Sequence, residues 1–225
     1  MEVQWSDGLR ILFIGNSITL WREVPSIVGA LVDSAGIGAD TIHSVAMGGW
    51  SLADHWAFGR AQRLIANGGW DVVVLQGYTG VGGSRDSLLK YAELFSYEAS
   101  QVGARTALFM RNPRDSYREQ VDEIAAAYTD VARQLNAVLL PVALAWKEVW
   151  RRDPTFELYS DDVHPNYAGS YLAGLVIFQH LTEHSPIGLP ATLKLKGTWY
   201  PSLLEQPERD AAFLQEAAAA VWKRN

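Results

Sequence analysis

The 225-residue chain has no cysteine. That excludes disulfides, thiol nucleophiles and cysteine-type zinc sites, and it suits a reducing compartment. Basic charge is also scarce: 19 Lys and Arg stand against 25 Asp and Glu, a formal net charge of -6. Phosphate backbones need a basic surface, so nucleic acid is not an expected partner. No apolar run approaches the length that spans a bilayer. The start, "MEVQWSDGLRILF", carries acidic residues and no long apolar stretch behind basic ones, so no signal peptide and no membrane partner are read and the expected location is cytoplasmic. A dinucleotide loop is missing as well, because "GIGAD" (36–40) follows a helical pattern instead of opening one. His180 and His184 are four apart, but "HLTEH" lacks the glutamate of a zinc-binding helix, so they are read as helix-end or surface histidines and no metal is expected.

With 48% apolar and 20% charged residues, the composition is that of an ordinary globular chain. Its length suits one domain, 1–225, in which 186–225 forms a loop-rich segment and a C-terminal helix. Leu9 to Ile14 is a nearly continuous apolar run, as in a strand buried on both faces. Val24, Ile27, Val28, Leu31, Val32 and Ala35 then keep helical spacing up to Gly36. Further strands are read at Asp40–Val45, Trp70–Leu75, "RTALFM" (105–110) and "AVLLPV" (137–142). Helices are read over Leu88–Val102, Tyr117–Leu135, Tyr167–Leu181 and Glu208–Trp222. Alternating apolar strands and helices predict an α/β fold, a parallel five-stranded sheet between two helical layers. In such folds ligands gather beyond the carboxyl ends of the strands, and Ser17 lies just past the end of the first.

A serine hydroxyl becomes a nucleophile only when a base takes its proton, and histidine suits that task near neutral pH. A carboxylate must then hold the imidazole in one tautomer and balance the charge that forms. "SDDVHPNYAG" offers both in Asp161 and His164, with Pro165 stiffening the exit of the loop; Asp162 is read as a solvated neighbour. Donors are also needed where negative charge develops on a tetrahedral intermediate. The Ser17 backbone N–H, a glycine N–H of "VAMGGWSL" and a side-chain amide of "LQGYTG" are candidates.

These segments together resemble the SGNH hydrolases, also called GDSL-type esterases, over most of the chain from Ile11 to about Gly174. "FIGNSIT" resembles the nucleophile block, "VAMGGWSL" the glycine block and "DDVHPNYAG" the terminal Asp-x-x-His block. The resemblance implies a three-layer α/β/α sandwich of flavodoxin-like topology, a triad of Ser17, His164 and Asp161, and no metal or cofactor. It implies Ser17, Gly49 (Gly48 being the alternative) and a third donor as the oxyanion hole. Two departures stand out. Asn16 replaces the usual aspartate before the serine, and "DVVVLQGYTG" lacks the Gly-x-Asn-Asp block. Gln76 then supplies the amide that the family takes from asparagine, with Thr79 as the alternative position. The glycine-rich "GVGGS" (80–84) is read as a lip over the site.

The expected function is hydrolysis of a small acyl ester, an O-acetyl carbohydrate by preference, through an acyl-enzyme intermediate. Lipid esters or thioesters are the nearby alternative, and a non-catalytic ligand-binding module on the same fold is the alternative of another class. The partner is a small-molecule ester. Of the nine tryptophans, Trp21, Trp50, Trp56 and Trp146 stand where they could reach the site.

Overall fold

The computed structural model describes residues 8–77, 84–196 and 202–222. Thr79 and residues 80–83 of the expected lip lie outside these. Five strands, β1 (Leu9–Gly15), β2 (Ala39–Ala46), β3 (Val72–Leu75), β4 (Arg105–Phe109) and β5 (Val138–Leu140), form one sheet in the order β2-β1-β3-β4-β5. All four pairings are parallel. The α/β class and five-stranded parallel sheet are thus as the apolar runs indicate.

Strand periodicity explains both layers. Successive side chains of a strand point to opposite faces. Leu9, Ile11, Phe13, Val72, Val74, Ala107 and Phe109 join one apolar cluster, while Leu12, Ile14, Val73, Leu75 and Leu108 join the other. Helices α2 (Val24–Ser34), α7 (Val142–Arg152), α8 (Tyr167–Thr182) and α9 (Glu208–Ala220) cover the first face. The second is covered by α3 (Leu52–Phe58), α4 (Arg60–Ala66), α5 (Arg85–Gln101) and α6 (Val121–Leu135). A single-turn helix, α1 (Ser17–Leu20), follows β1 directly.

Three segments differ from expectation. The "AVLLPV" strand is cut short because Pro141 caps α7, whose Val142, Ala145, Trp146 and Val149 are buried at helical spacing. Trp146 is therefore a core side chain, 1% exposed, packed edge-on against Tyr159, and Trp56 packs on Phe95 in the second cluster. The helix expected from Tyr117 begins as a 3₁₀ stretch, Asp115–Gln120, and becomes α-helical only at Val121. Within 186–207 the chain forms an antiparallel pair, β6 (Thr192–Leu195) and β7 (Ser202–Glu205), where only a loop is read. Leu193, Leu195 and Leu204 bury one side of that pair against the first cluster, a period-2 signal too short to stand out.

The strand order reverses between β2 and β3 on either side of β1. Ligands of doubly wound sheets sit at this switch point, and Ser17 is there because it opens the helical turn that follows the end of β1.

Candidate active site

The turn after β1 is shaped by what surrounds Gly15. A Cβ there would lie 2.3 Å from Thr19 Oγ1 and 3.0 Å from Gln76, so only glycine lets the chain turn this tightly. Asn16 is the N-cap of α1: its Oδ1 accepts the Ile18 N–H at 3.0 Å. Its Nδ2 donates to the Trp50 carbonyl at 3.2 Å. The amide makes two bonds of opposite sense, which a carboxylate could not, and this gives a physical reason for Asn where the resemblance expects Asp. Ser17 comes next, at the first helical position, where backbone N–H groups have no intrahelical partner.

The Asp-x-x-His segment is a tight loop closed by the antiparallel bridge between Tyr159 and Pro165. The Ser160 N–H donates to the His164 carbonyl at 2.8 Å, and Ser160 Oγ donates to the Pro165 carbonyl at 2.9 Å. Asn166 then caps α8, accepting the Gly169 N–H at 2.9 Å. Asp162 is not merely solvated. Its carboxylate accepts the Ser116 N–H at 2.8 Å and meets Arg114 at 3.3 Å, pinning this loop to the one after β4. Asn112, buried, adds a bond from Nδ2 to the Val163 carbonyl at 3.2 Å.

These two loops bring Ser17, His164 and Asp161 together. Ser17 Oγ is 3.0 Å from His164 Nε2, and His164 Nδ1 is 2.9 Å from Asp161 Oδ2. Asp161 Oδ1 accepts the Val163 and His164 N–H groups, each at 2.7 Å. The His164 backbone N–H foremost, with the imidazole and the Val163 N–H, holds the Asp161 carboxyl at about 2 against the opposing effect of desolvation. Asp161 is therefore an anion near neutrality and only accepts. His164 Nδ1 must carry the proton it donates, which leaves the Nε2 lone pair facing the Ser17 hydroxyl.

Gly48 and Gly49 occupy the centre of a turn in which the Trp50 N–H donates to the Met47 carbonyl at 3.1 Å. Gly49 has φ +76°, a conformation that favours glycine, and both glycines are exposed with open space above them. Met47 N–H donates to the Gly15 carbonyl at 3.2 Å, so the turn is hung on the end of β1 beside Ser17.

Gln76 is placed differently from the expectation of a donor facing the reacting carbonyl. It is 1% exposed. Its Oε1 accepts the Asn16 N–H at 3.0 Å, and its Nε2 donates to the Gly77 carbonyl at 2.7 Å. The carboxamide is engaged beneath the Ser17 turn because the Asn16 N–H, buried there, needs an acceptor that no backbone group supplies.

One further residue, His55, carried no sequence signal, whereas Trp21 and Trp50 stand at the site as the sequence suggests. His55, on α3 and 2% exposed, has Nε2 2.7 Å from the Gly15 carbonyl; since a carbonyl only accepts, that nitrogen is protonated. Burial lowers the His55 pKa. Trp21 stacks on the His164 ring with centroids 4.5 Å apart, at the outer edge of the site. Trp50 meets His55 edge-on at 5.0 Å. His180 and His184 turn their Nδ1 atoms to the Val176 and Thr182 carbonyls, each at 2.8 Å. No group of three or more ligating side chains able to hold a metal occurs among the described residues, and none of their helices is long and apolar enough to cross a membrane.

No protein-family model matches the chain, and no curated protein matches it in sequence. Solved structures do. A candidate SGNH hydrolase from Slackia heliotrinireducens is 28% identical with a TM-score of 0.63, covering 79% of this chain and 100% of that one. A DUF4886 family protein from Bacteroides uniformis is 18% identical with a TM-score of 0.75, covering 95% and 94%. An acetylxylan esterase from Geobacillus stearothermophilus, solved as a catalytic mutant, is 17% identical with a TM-score of 0.60, covering 84% and 98%. The last two likenesses are likenesses of fold. With a lipase/acylhydrolase from Enterococcus faecalis also among the matches, the chain has the α/β fold of the SGNH hydrolases, and its structural neighbours include hydrolases of the SGNH/GDSL class.

Proposed function

We propose that the protein is a serine esterase acting on small acyl esters. The observation that carries this reading is the continuous line from Ser17 Oγ to His164 Nε2 at 3.0 Å and from His164 Nδ1 to Asp161 Oδ2 at 2.9 Å. In this reading His164 takes the hydroxyl proton as Ser17 attacks the ester carbonyl, and Asp161 stabilises the imidazolium. The Ser17 and Gly49 N–H groups receive the developing oxyanion. His164 then returns the proton to the departing alcohol, leaving Ser17 acylated. A water molecule, deprotonated by His164, attacks the acyl-enzyme and releases the acid. No step calls for a metal or cofactor.

An O-acetyl carbohydrate is the preferred substrate class. It is supported by the fold shared with an acetylxylan esterase and by Trp21, a ring 39% exposed beside His164 that offers a face to a sugar. The test is hydrolysis of an aryl acetate and of acetylated xylo-oligosaccharides by wild-type, Ser17→Ala and His164→Ala protein. Loss of turnover in both variants with unchanged thermal midpoints is expected. Retention of the wild-type rate by Ser17→Ala would overturn the reading. A series of aryl esters of increasing acyl length separates acetyl esters, where the rate should peak, from lipid esters.

A further inference from the structure

We infer that Arg22 is an anion-recognition residue, and that the ester carries an acidic group on its alcohol half. This rests on the esterase reading above and adds a substrate feature to it. The general acid that protonates the departing alcohol is His164, so the alcohol must leave on the His164 side of the site. Trp21 flanks that side, stacked on the imidazole at 4.5 Å. The next residue is Arg22. Its guanidinium carbon lies 5.9 Å from the Trp21 ring centroid and 4.3 Å from that of Tyr167, a ring 43% exposed at the start of α8. The guanidinium is thus one ring removed from the catalytic imidazole, between two aromatic side chains.

What it lacks is a carboxylate. Among the described residues Arg10, Arg85, Arg114, Arg118, Arg133, Arg151 and Arg152 are ion-paired. Arg22 forms no ion pair and no side-chain hydrogen bond among the described residues, and its Nε is buried without an acceptor. The protein therefore leaves the guanidinium charge without a counter-ion, which an anionic group of a ligand would supply. The backbone points the same way. Arg22 (φ 56°) and Glu23 (φ 62°) are consecutive non-glycine residues in the left-handed region, where neither side chain offers the local hydrogen bonds of Asn or Asp. This kink, immediately after the helical turn that carries Ser17, directs Arg22 toward Tyr167. Arginine suits the role because its planar fork stays charged and binds carboxylates through paired bonds.

The test compares two acetate esters of similar leaving-group acidity, 3-acetoxybenzoate and its methyl ester, which differ in whether the alcohol half bears a charge. Wild-type protein should favour the anionic ester, and 0.5 M salt should weaken that preference. In Arg22→Gln the ratio of kcat/KM for the anionic over the neutral ester should fall about tenfold, chiefly through KM, while Arg22→Lys, which keeps the charge and loses the paired bonds, should lie between that variant and the wild type. The ratio does not depend on the fraction of folded enzyme, so a destabilised variant still reports. Equal losses on both esters would assign Arg22 to holding Trp21 and Tyr167 in place, and an unchanged ratio would remove it from recognition; either overturns the inference while the esterase reading stands. Failure of the wild type to hydrolyse either ester would overturn both.

Discussion

Replacing Gln76 by alanine separates two roles that the sequence does not distinguish. The structure commits the Gln76 carboxamide to the floor of the Ser17 turn, with Oε1 on the Asn16 N–H and Nε2 on the Gly77 carbonyl. Truncation strands the buried Asn16 N–H, at roughly 1–3 kcal/mol. The Gly77 carbonyl keeps a second donor, the Tyr128 hydroxyl at 2.9 Å, so little is added there. Lost packing adds about 1 kcal/mol. The sum, about 2–4 kcal/mol, lowers the thermal midpoint by roughly 5–15 °C in a chain of this size. Because Asn16 is the cap beside Ser17, kcat should fall as well, by about tenfold, as the turn loosens. The assays are thermal unfolding by circular dichroism and steady-state hydrolysis of an aryl acetate. A donor facing the reacting carbonyl would behave in the opposite way, with a near-normal melting point and kcat lower by roughly 10²–10³. That result would refute the placement argued for Gln76.

Other expectations follow from the same geometry. Asn16→Asp keeps the cap on Ile18 but sets a carboxylate against the Trp50 carbonyl, so it should lower the thermal midpoint; an unchanged value would show that the bridge to the glycine turn contributes nothing. Asp161→Asn should reduce kcat by several orders of magnitude, because the amide cannot hold the His164 tautomer, while KM measures substrate binding left largely intact. The Asp161 carboxyl, held at about 2, stays ionised across the assay range, so its protonation should add no limb to the rate profile in the ordinary carboxylate range; a limb there that disappears in Asp161→Asn would contradict this. Its contribution to stability is present above the ordinary carboxylate range and is lost as pH falls toward 2. His55 and His180 have lowered pKa values through burial, so the unfolded chain binds protons first and the thermal midpoint should drop as pH falls below about 6.5. His55→Gln should flatten that dependence, and an unaltered slope would exclude His55 as its source.

The legible part of this fold is the part written in period. Leu9–Gly15 and Val72–Leu75 read as strands because burial on both faces leaves no polar alternation to obscure them. Ser17, Asp161 and His164 were legible because a short linear motif carries each, and the structure brings all three within hydrogen-bond reach. Helix α7 was hidden by Pro141, which reads as the end of a strand although it also begins a helix; the spacing of Val142, Ala145, Trp146 and Val149 was there to be found. Gln76, His55 and Asp162 were not legible in their roles. Each acts on backbone atoms far along the chain, Asn16, Gly15 and Ser116, and such pairing leaves no local pattern. Residue type proposed an amide donor at Gln76, and only its surroundings reveal that the amide faces inward.

Activation of Ser17 by His164 and Asp161 is the step on which the proposed chemistry depends. The most direct measurement is intact-mass analysis of wild-type and Ser17→Ala protein after treatment with a fluorophosphonate, followed by peptide mapping. One adduct per wild-type chain, located on Ser17, is expected, and none on the variant. No adduct on folded wild-type protein, or one that persists in Ser17→Ala, would contradict it.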